Sequence, residues 1–264
     1  MLDPAAVRPP SEESRRTAAG AFKSDRVAYR VAREIAVWML EIRLPEGARF
    51  PPEQELCREL GCSRIGLRSA LRLLEQWGLI TIQTGRNGGP IVRVPRVTDL
   101  KDPLSILIHS EHATLMDVLV ARRAIDPVVA AAAATNATPE LIEDLRSALD
   151  QLRRARSSQR EFLSATAEFQ GFLADASALA ILGLFLRILA SFGEFSVMQR
   201  LPLDKKWQQT VVNQFERILK AVEEHDADAA SSEMLLHRVK SEQHWHRKGA
   251  NQLHLPLAPF EFGT

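Results

Sequence analysis

The sequence predicts a mainly α fold, with an N-terminal winged helix-turn-helix followed by an all-helical bundle. Three observations carry that expectation. Two helix patterns in the first third are separated by a single glycine, Gly61, the punctuation of a helix-turn-helix. "LITIQ" and "PIVRV", β-branched runs on either side of "TGRNGG", read as a hairpin directly behind the second of those helices. Beyond residue 113 strand signals nearly vanish, and apolar residues recur at three and four through six successive segments.

Each element has its own signals. Residues 1–20, "MLDPAAVRPPSEESRRTAAG", are rich in Pro, Ser and charge and read as a flexible extension without the apolar run of a secretory signal. Residues 21–96 form the winged unit. Val27, Val31, Ile35, Trp38, Met39 and Ile42 mark one amphipathic helix, stopped by Pro45, Gly47, Pro51 and Pro52. "PEQELCREL" is a short helix with acidic residues in its first turn. Ser63 is an N-cap for the next helix, whose buried side is expected from Ile65, Leu67, Ala70, Leu71 and Leu74; Gly78 ends it. The polar "PRVTDLKDP" introduces a linker, residues 97–113. The helical domain is expected over 114–248, with helices at 114–135, 138–156, 160–177, 179–198, 205–225 and 226–247. Residues 249–264, too proline-rich to continue a helix, read as a tail.

Composition narrows the function classes. A chain of 264 residues, 45% hydrophobic and 25% charged, buries a sizeable core. Its two cysteines, Cys57 and Cys62, make neither a disulfide framework nor a zinc site, and a reducing cytoplasm is expected. The most apolar stretch, "ALAILGLFLRILASF", is broken by Arg187 and falls short of the roughly 20 residues that span a bilayer, so no membrane partner is expected. The net charge of +1 divides unevenly, +5 over residues 1–96 and −4 over 97–264. A basic front on an acidic remainder points to a polyanion-binding module joined to a differently employed domain. No Ser/His/Asp order, paired carboxylates or phosphate loop supports an enzyme.

The basic module has the chemistry for duplex DNA. Arg64, Arg68 and Arg72 stand at i, i+4 and i+8, a cationic stripe on the second helix of the turn. A guanidinium fork donates two bonds to guanine O6 and N7, or clamps a phosphate. Ser63 at the helix N-terminus suits a phosphate contact, and a glycine-rich wing with Arg86 suits an adjacent minor groove. The competing reading of such a stripe is a solvated helix face.

"RFPPEQELCRELGCSRIGLRSALRLLEQWGLITIQTGRNGGPIVR" resembles the DNA-binding domain of GntR-type transcription regulators, patterned "LPpE-ELa-elGVSR-pvReALr-Le-eGLi" before a glycine-rich wing. Pro52, Glu53, Glu55, Leu56, Leu60, Gly61, Ser63, Arg64, Arg68, Ala70, Leu71, Leu74, Gly78, Leu79 and Gly85 fit that pattern. The resemblance implies that Ser63 and Arg64 open the recognition helix, that Arg68 continues it, and that Gly85 and Arg86 form the wing tip. Gln54 stands where many members carry a DNA-contacting Arg, and Gly66 and Ser69 replace the usual Pro or Thr and Glu.

Within the helical domain, "TAEFQGFLADAS" stacks Thr166 and Gln170 one turn apart beside Phe169, Phe172 and Leu173. From the residues alone these polar groups line a ligand pocket, satisfy each other in a core, or lie on a solvated face. "LMDVLVARRAIDPVVAAAAATNATPELIEDLRSALDQL" is similar to the opening of the FCD-type effector and dimerisation domain of the FadR-like subfamily, which commonly builds a metal site from one Asp and three His. By that resemblance the four ligand positions are Thr166, Gln170, Phe215 and His237, so only one imidazole remains. The expectation is a metal-free, cofactor-free pocket lined by Thr166, Gln170, Phe215 and His237, with Arg122, matching the family's Arg, anchoring a carboxylate or instead forming an ion pair with Asp126 one turn on. Phe215 favours a larger or more apolar ligand. The resemblance implies a homodimeric, ligand-responsive regulator, by expectation a repressor, that binds a near-palindromic double-stranded operator and senses a small organic effector. The alternative is an effector-free regulator whose helical domain only dimerises.

Overall fold

Helix caps and glycine turns set the element boundaries in the computed structural model, which describes residues 12–85, 88–195, 203–254 and 257. The chain divides into two units, Met1–Asp99 and Leu100–Thr264. In the first, three helices, α1 (Glu12–Glu41), α2 (Glu53–Glu59) and α3 (Arg64–Gln76), precede a hairpin of β1 (Ile80–Gln83) and β2 (Gly89–Val92). The strands are antiparallel, with Ile80 opposite Val92 and Gln83 opposite Gly89. Val31, Ile35 and Met39 of α1 pack with Leu56, Leu67, Leu71, Leu74, Ile80 and Val92 in one apolar core.

Several expectations change here. Helix α1 begins at Glu12, inside the stretch read as flexible; Glu12 and Glu13 favour a helix N-terminus, and Ala18, Ala19 and Ala21 are strong helix formers. Val27, Trp38 and Ile42 are exposed, so the buried stripe of α1 is narrower than the pattern drawn from them. Ile65, expected inside, is 75% exposed, because it lies on the outward side of α3 beside Arg64.

Gly78 shows why α3 must stop. Its φ of +76° is left-handed, and a Cβ there would stand 2.2 Å from Asp99 Oδ2. That carboxylate accepts from both ends of the Arg93 guanidinium at 2.8 and 3.0 Å and from the Arg96 backbone N–H at 2.6 Å. The hydrogen bonds from Arg93 hold the Asp99 carboxyl below its usual range.

The second unit is helical among its described residues: α4 (Lys101–Ser110), α5 (Leu115–Asn136), α6 (Pro139–Arg154), α7 (Gln159–Ala176), α8 (Ala180–Phe195), α9 (Lys205–Glu223) and α10 (Ala227–Leu253). Thr114 and Asp117 form a reciprocal capping box on α5, and Ser158 and Asp204 cap α7 and α9. Phe162, Phe169 and Leu173 of α7 meet Val211, Phe215, Ile218 and Val222 of α9 and Met234 of α10 in the main core.

The stretch read as linker, 97–113, holds α4, whose Leu104 and Ile108, one turn apart, pack against Leu115, Leu119 and Trp245. The expected tail, 249–264, is helical to Leu253, and Leu257 is buried with its N–H bonded to the Ala113 carbonyl and its own carbonyl bonded to His109. No helix among the described residues is long and apolar enough to cross a membrane.

Candidate nucleic-acid interface and helical-domain cavity

The outward face of α3 gathers the residues singled out for DNA. Ser63 caps α3, its Oγ accepting from the Gly66 N–H at 3.1 Å, so its own O–H is left to donate. Arg64, Arg68 and Arg72 are all exposed on α3. Arg68 donates through Nε to Glu53 of α2 at 3.2 Å, which leaves the fork's outer nitrogens free of that contact. Gln54 is exposed on α2. Gly85 is exposed at the hairpin tip with φ +115°, while Arg86 lies outside the described residues. The wing is tied to α3 by Glu75, which accepts from the Ile82 N–H at 2.9 Å. Ile65, missed by sequence reasoning, adds an apolar side chain next to Arg64; the only signal for it was its position flanking the arginine stripe.

In the helical unit a cavity of about 50 Å³ lies between α5, α7, α9 and α10. Arg122, Thr166, Gln170 and His237 line it, with Trp207, Arg238, Ser241 and Trp245 among the other walls. Phe215 does not: fully buried, it stacks on Phe169 at 4.5 Å and meets His237 edge-on at 5.0 Å, one layer behind the wall. Its ring is packed into the hydrocarbon core and is not part of the cavity wall. Thr166 and Gln170 do not satisfy each other. The Thr166 hydroxyl donates to the Phe162 carbonyl at 2.7 Å, and Gln170 Oε1 accepts from Arg122 Nη2 at 2.6 Å.

Arg122 also donates to Asp126 Oδ2 at 3.0 and 3.2 Å, and Arg238 Nε approaches the same oxygen at 2.7 Å without aiming its N–H at it. Arg122 and Arg238 are each 4% exposed and Asp126 is 0% exposed, so one carboxylate faces two buried guanidiniums. Arg238 Nη2 has no hydrogen-bond partner. Burial first, then the Arg122 charge, push the Arg238 pKa down to about 9, which still leaves the group charged at neutral pH. His237 donates from Nδ1 to Gln214 Oε1 at 2.8 Å, and burial beside Arg238 and Arg122 holds its pKa well below the usual value, so it is a neutral imidazole. Sequence reasoning passed over Arg238, although Met234, His237, Arg238 and Ser241 share one face of α10 at helical spacing.

The four family ligand positions do not fit a divalent metal. Thr166 has its proton engaged with backbone, Gln170 is held by Arg122, Phe215 offers only carbon, and two guanidiniums occupy the neighbourhood. Among the described residues no group of three or more His, Cys, Asp or Glu stands ready to hold a metal ion. His244 stacks on Trp207 at 4.1 Å.

A winged helix-turn-helix with an arginine-bearing recognition helix, joined to a helical domain, defines a DNA-binding transcription regulator. Comparison with known proteins agrees. Residues 28–87 match the model for bacterial regulatory proteins of the GntR family, and residues 117–239 match the FCD domain; together they cover more than two thirds of the chain. The chain belongs to the GntR family of transcription regulators, in its FadR-like subfamily with a C-terminal FCD domain, and this is a family of regulators and not of enzymes.

It is similar to an uncharacterised HTH-type transcriptional regulator of Mycobacterium tuberculosis, 34% identical over 49% of this chain and 53% of that protein, and so spans about half of that relative's length. It is 28% identical to a putative L-lactate dehydrogenase operon regulatory protein of Escherichia coli over 80% of this chain and 83% of that one. Among solved structures, a GntR protein of Streptococcus agalactiae superposes with a TM-score of 0.64 at 20% identity, covering 82% of this chain and 99% of that one, a likeness of fold.

Proposed function

We propose that the protein is a cytoplasmic, homodimeric regulator that reads a near-palindromic operator with α3 and the wing, and whose helical domain takes a small organic effector. The observation that carries the DNA reading is the outward face of α3, where Arg64, Arg68 and Arg72 stand exposed with Ile65 beside them. Arginine reads guanine edges or grips phosphate, and an exposed Ile in the same turn suits the methyl group of thymine. Ser63 and Gln54 supply polar contacts at the flanks, and Gly85 and Arg86 the wing contact.

Two-fold symmetry follows from the small reach of one recognition helix, which covers only a few base pairs. The exposed apolar face of α8, Ile181, Leu184 and Phe185, suits the partner copy. An effector seated in the cavity biases the dimer between arrangements that do and do not bind DNA. The relatives' names include both a "Uxu operon regulator" and a "Glc operon transcriptional activator", and repression is the direction proposed here.

Fluorescence anisotropy on a duplex selected by the protein tests the interface. Arg64→Ala and Arg68→Ala each lower affinity by about tenfold or more at moderate salt while the circular dichroism spectrum is unchanged. Unaltered affinity in both variants contradicts the assigned face.

A further inference from the structure

The cavity between α5, α7, α9 and α10 is electrically unfinished. Two of its lining residues are guanidiniums, Arg122 and Arg238, and both face Asp126 of α5. Arg123 pairs with Glu242 at 2.8 Å, and Arg122 and Arg238 share Asp126 alone. One guanidinium charge is therefore left over, and it is buried. Water in so small a space solvates a charge poorly, and an uncompensated buried ion is costly. The unpartnered Arg238 Nη2 marks where the compensation is missing, since buried guanidinium nitrogens ordinarily have acceptors. His237 is no source of negative charge, and the hydroxyl of Ser241 on the wall is a donor of its own.

We propose that the cavity holds a small monoanion between the buried guanidiniums of Arg122 and Arg238, without any metal. This inference rests on the reading of the helical domain as an effector domain. Size sets the class. At about 50 Å³ the cavity has room for roughly three or four water-sized atoms, which suits a formate or acetate, or the carboxylate head of a longer acid. The apolar walls, Leu119, Phe162 and Trp207, accept a short alkyl group behind the carboxylate. Arg122 is oriented for the task by Asp126 and Gln170, whereas Arg238 is held by one ion pair and has its outer nitrogen to give.

Trp207 and Trp245 both line the cavity, so intrinsic fluorescence of the full chain reports on its contents directly. The protein is stripped with excess EDTA and titrated with sodium formate and sodium acetate, then with the neutral isosteres formamide and acetamide. Bulky MES serves as the balancing anion throughout. A saturable change with the anions, none with the amides and no dependence on EDTA is expected. Arg238→Gln weakens acetate binding by about tenfold or more, the loss of one charge-assisted hydrogen bond. That variant leaves Arg122 and Asp126 paired one to one, and an unchanged circular dichroism spectrum and melting cooperativity establish that it folds.

Equal responses to acetamide and acetate overturn the proposal. So does a response that EDTA abolishes and zinc or manganese restores, an Arg238→Gln titration matching the wild type, or no saturable response to either anion. Operator binding measured on the same samples separates the two readings. A protein that binds its operator but ignores the anions refutes this inference alone, and one that fails to bind duplex DNA refutes the proposed function.

Discussion

At the residue scale the two arginines around Asp126 are not equivalent, and stability measurements distinguish them. Asp126→Asn leaves Arg122 and Arg238 facing each other with no counter-charge, and is expected to cost about 3–5 kcal/mol. Arg238→Gln removes the surplus charge and is expected to be close to neutral or stabilising in anion-free buffer. Urea melts of both variants check this contrast, and equal losses contradict it. His237 gives a pH signature. Its folded-state pKa lies below the ordinary value of 6.5, so on acidification the unfolded chain takes up a proton first. The stability this confers is full above the unfolded value and falls as pH drops below it toward the folded one. His237→Asn flattens the decline between about pH 7 and 5, leaving the part due to His244, whose burial shifts it the same way. A stability that rises on acidification refutes the burial argument.

At the scale of elements, most of what the chain does locally was legible because caps and breakers act over a few residues. Ser63 caps the helix that follows, and Gly78 takes the left-handed turn that ends α3. Gly78→Ala adds both positive-φ strain and a clash with Asp99, so it lowers stability by more than about 1 kcal/mol and loosens the Arg93–Asp99 pair. A thermal melt indistinguishable from wild type contradicts this. What was not legible depends on partners distant in sequence. Helix α4 looked like linker because its two buried residues, Leu104 and Ile108, find their core on α5 and α10. Leu257 looked like tail because its anchors are His109 and the Ala113 carbonyl. The periodicity of α3 marked Ile65 as apolar and could not say that its side of the helix faces outward. In the cavity, the replaced ligand positions came from the family resemblance, whereas the Arg122–Asp126–Arg238 cluster needs α5 and α10 side by side.

At the scale of the whole molecule, the proposed regulator is a dimer in which each copy presents one reading head to half of an operator. Its interface is assigned to the exposed face of α8. Leu184→Glu places a charge on that face, and light scattering is expected to find a monomer with weakened operator affinity; a dimer as stable as the wild type moves the interface elsewhere. The most direct test of the central claim is a selection from a random duplex library by the full chain, repeated with Arg64→Ala. The account predicts that the wild type enriches a two-fold inverted repeat and that the variant loses the enrichment at the positions under α3. Failure of the wild type to enrich any sequence, or enrichment of the same repeat by the variant, would contradict it.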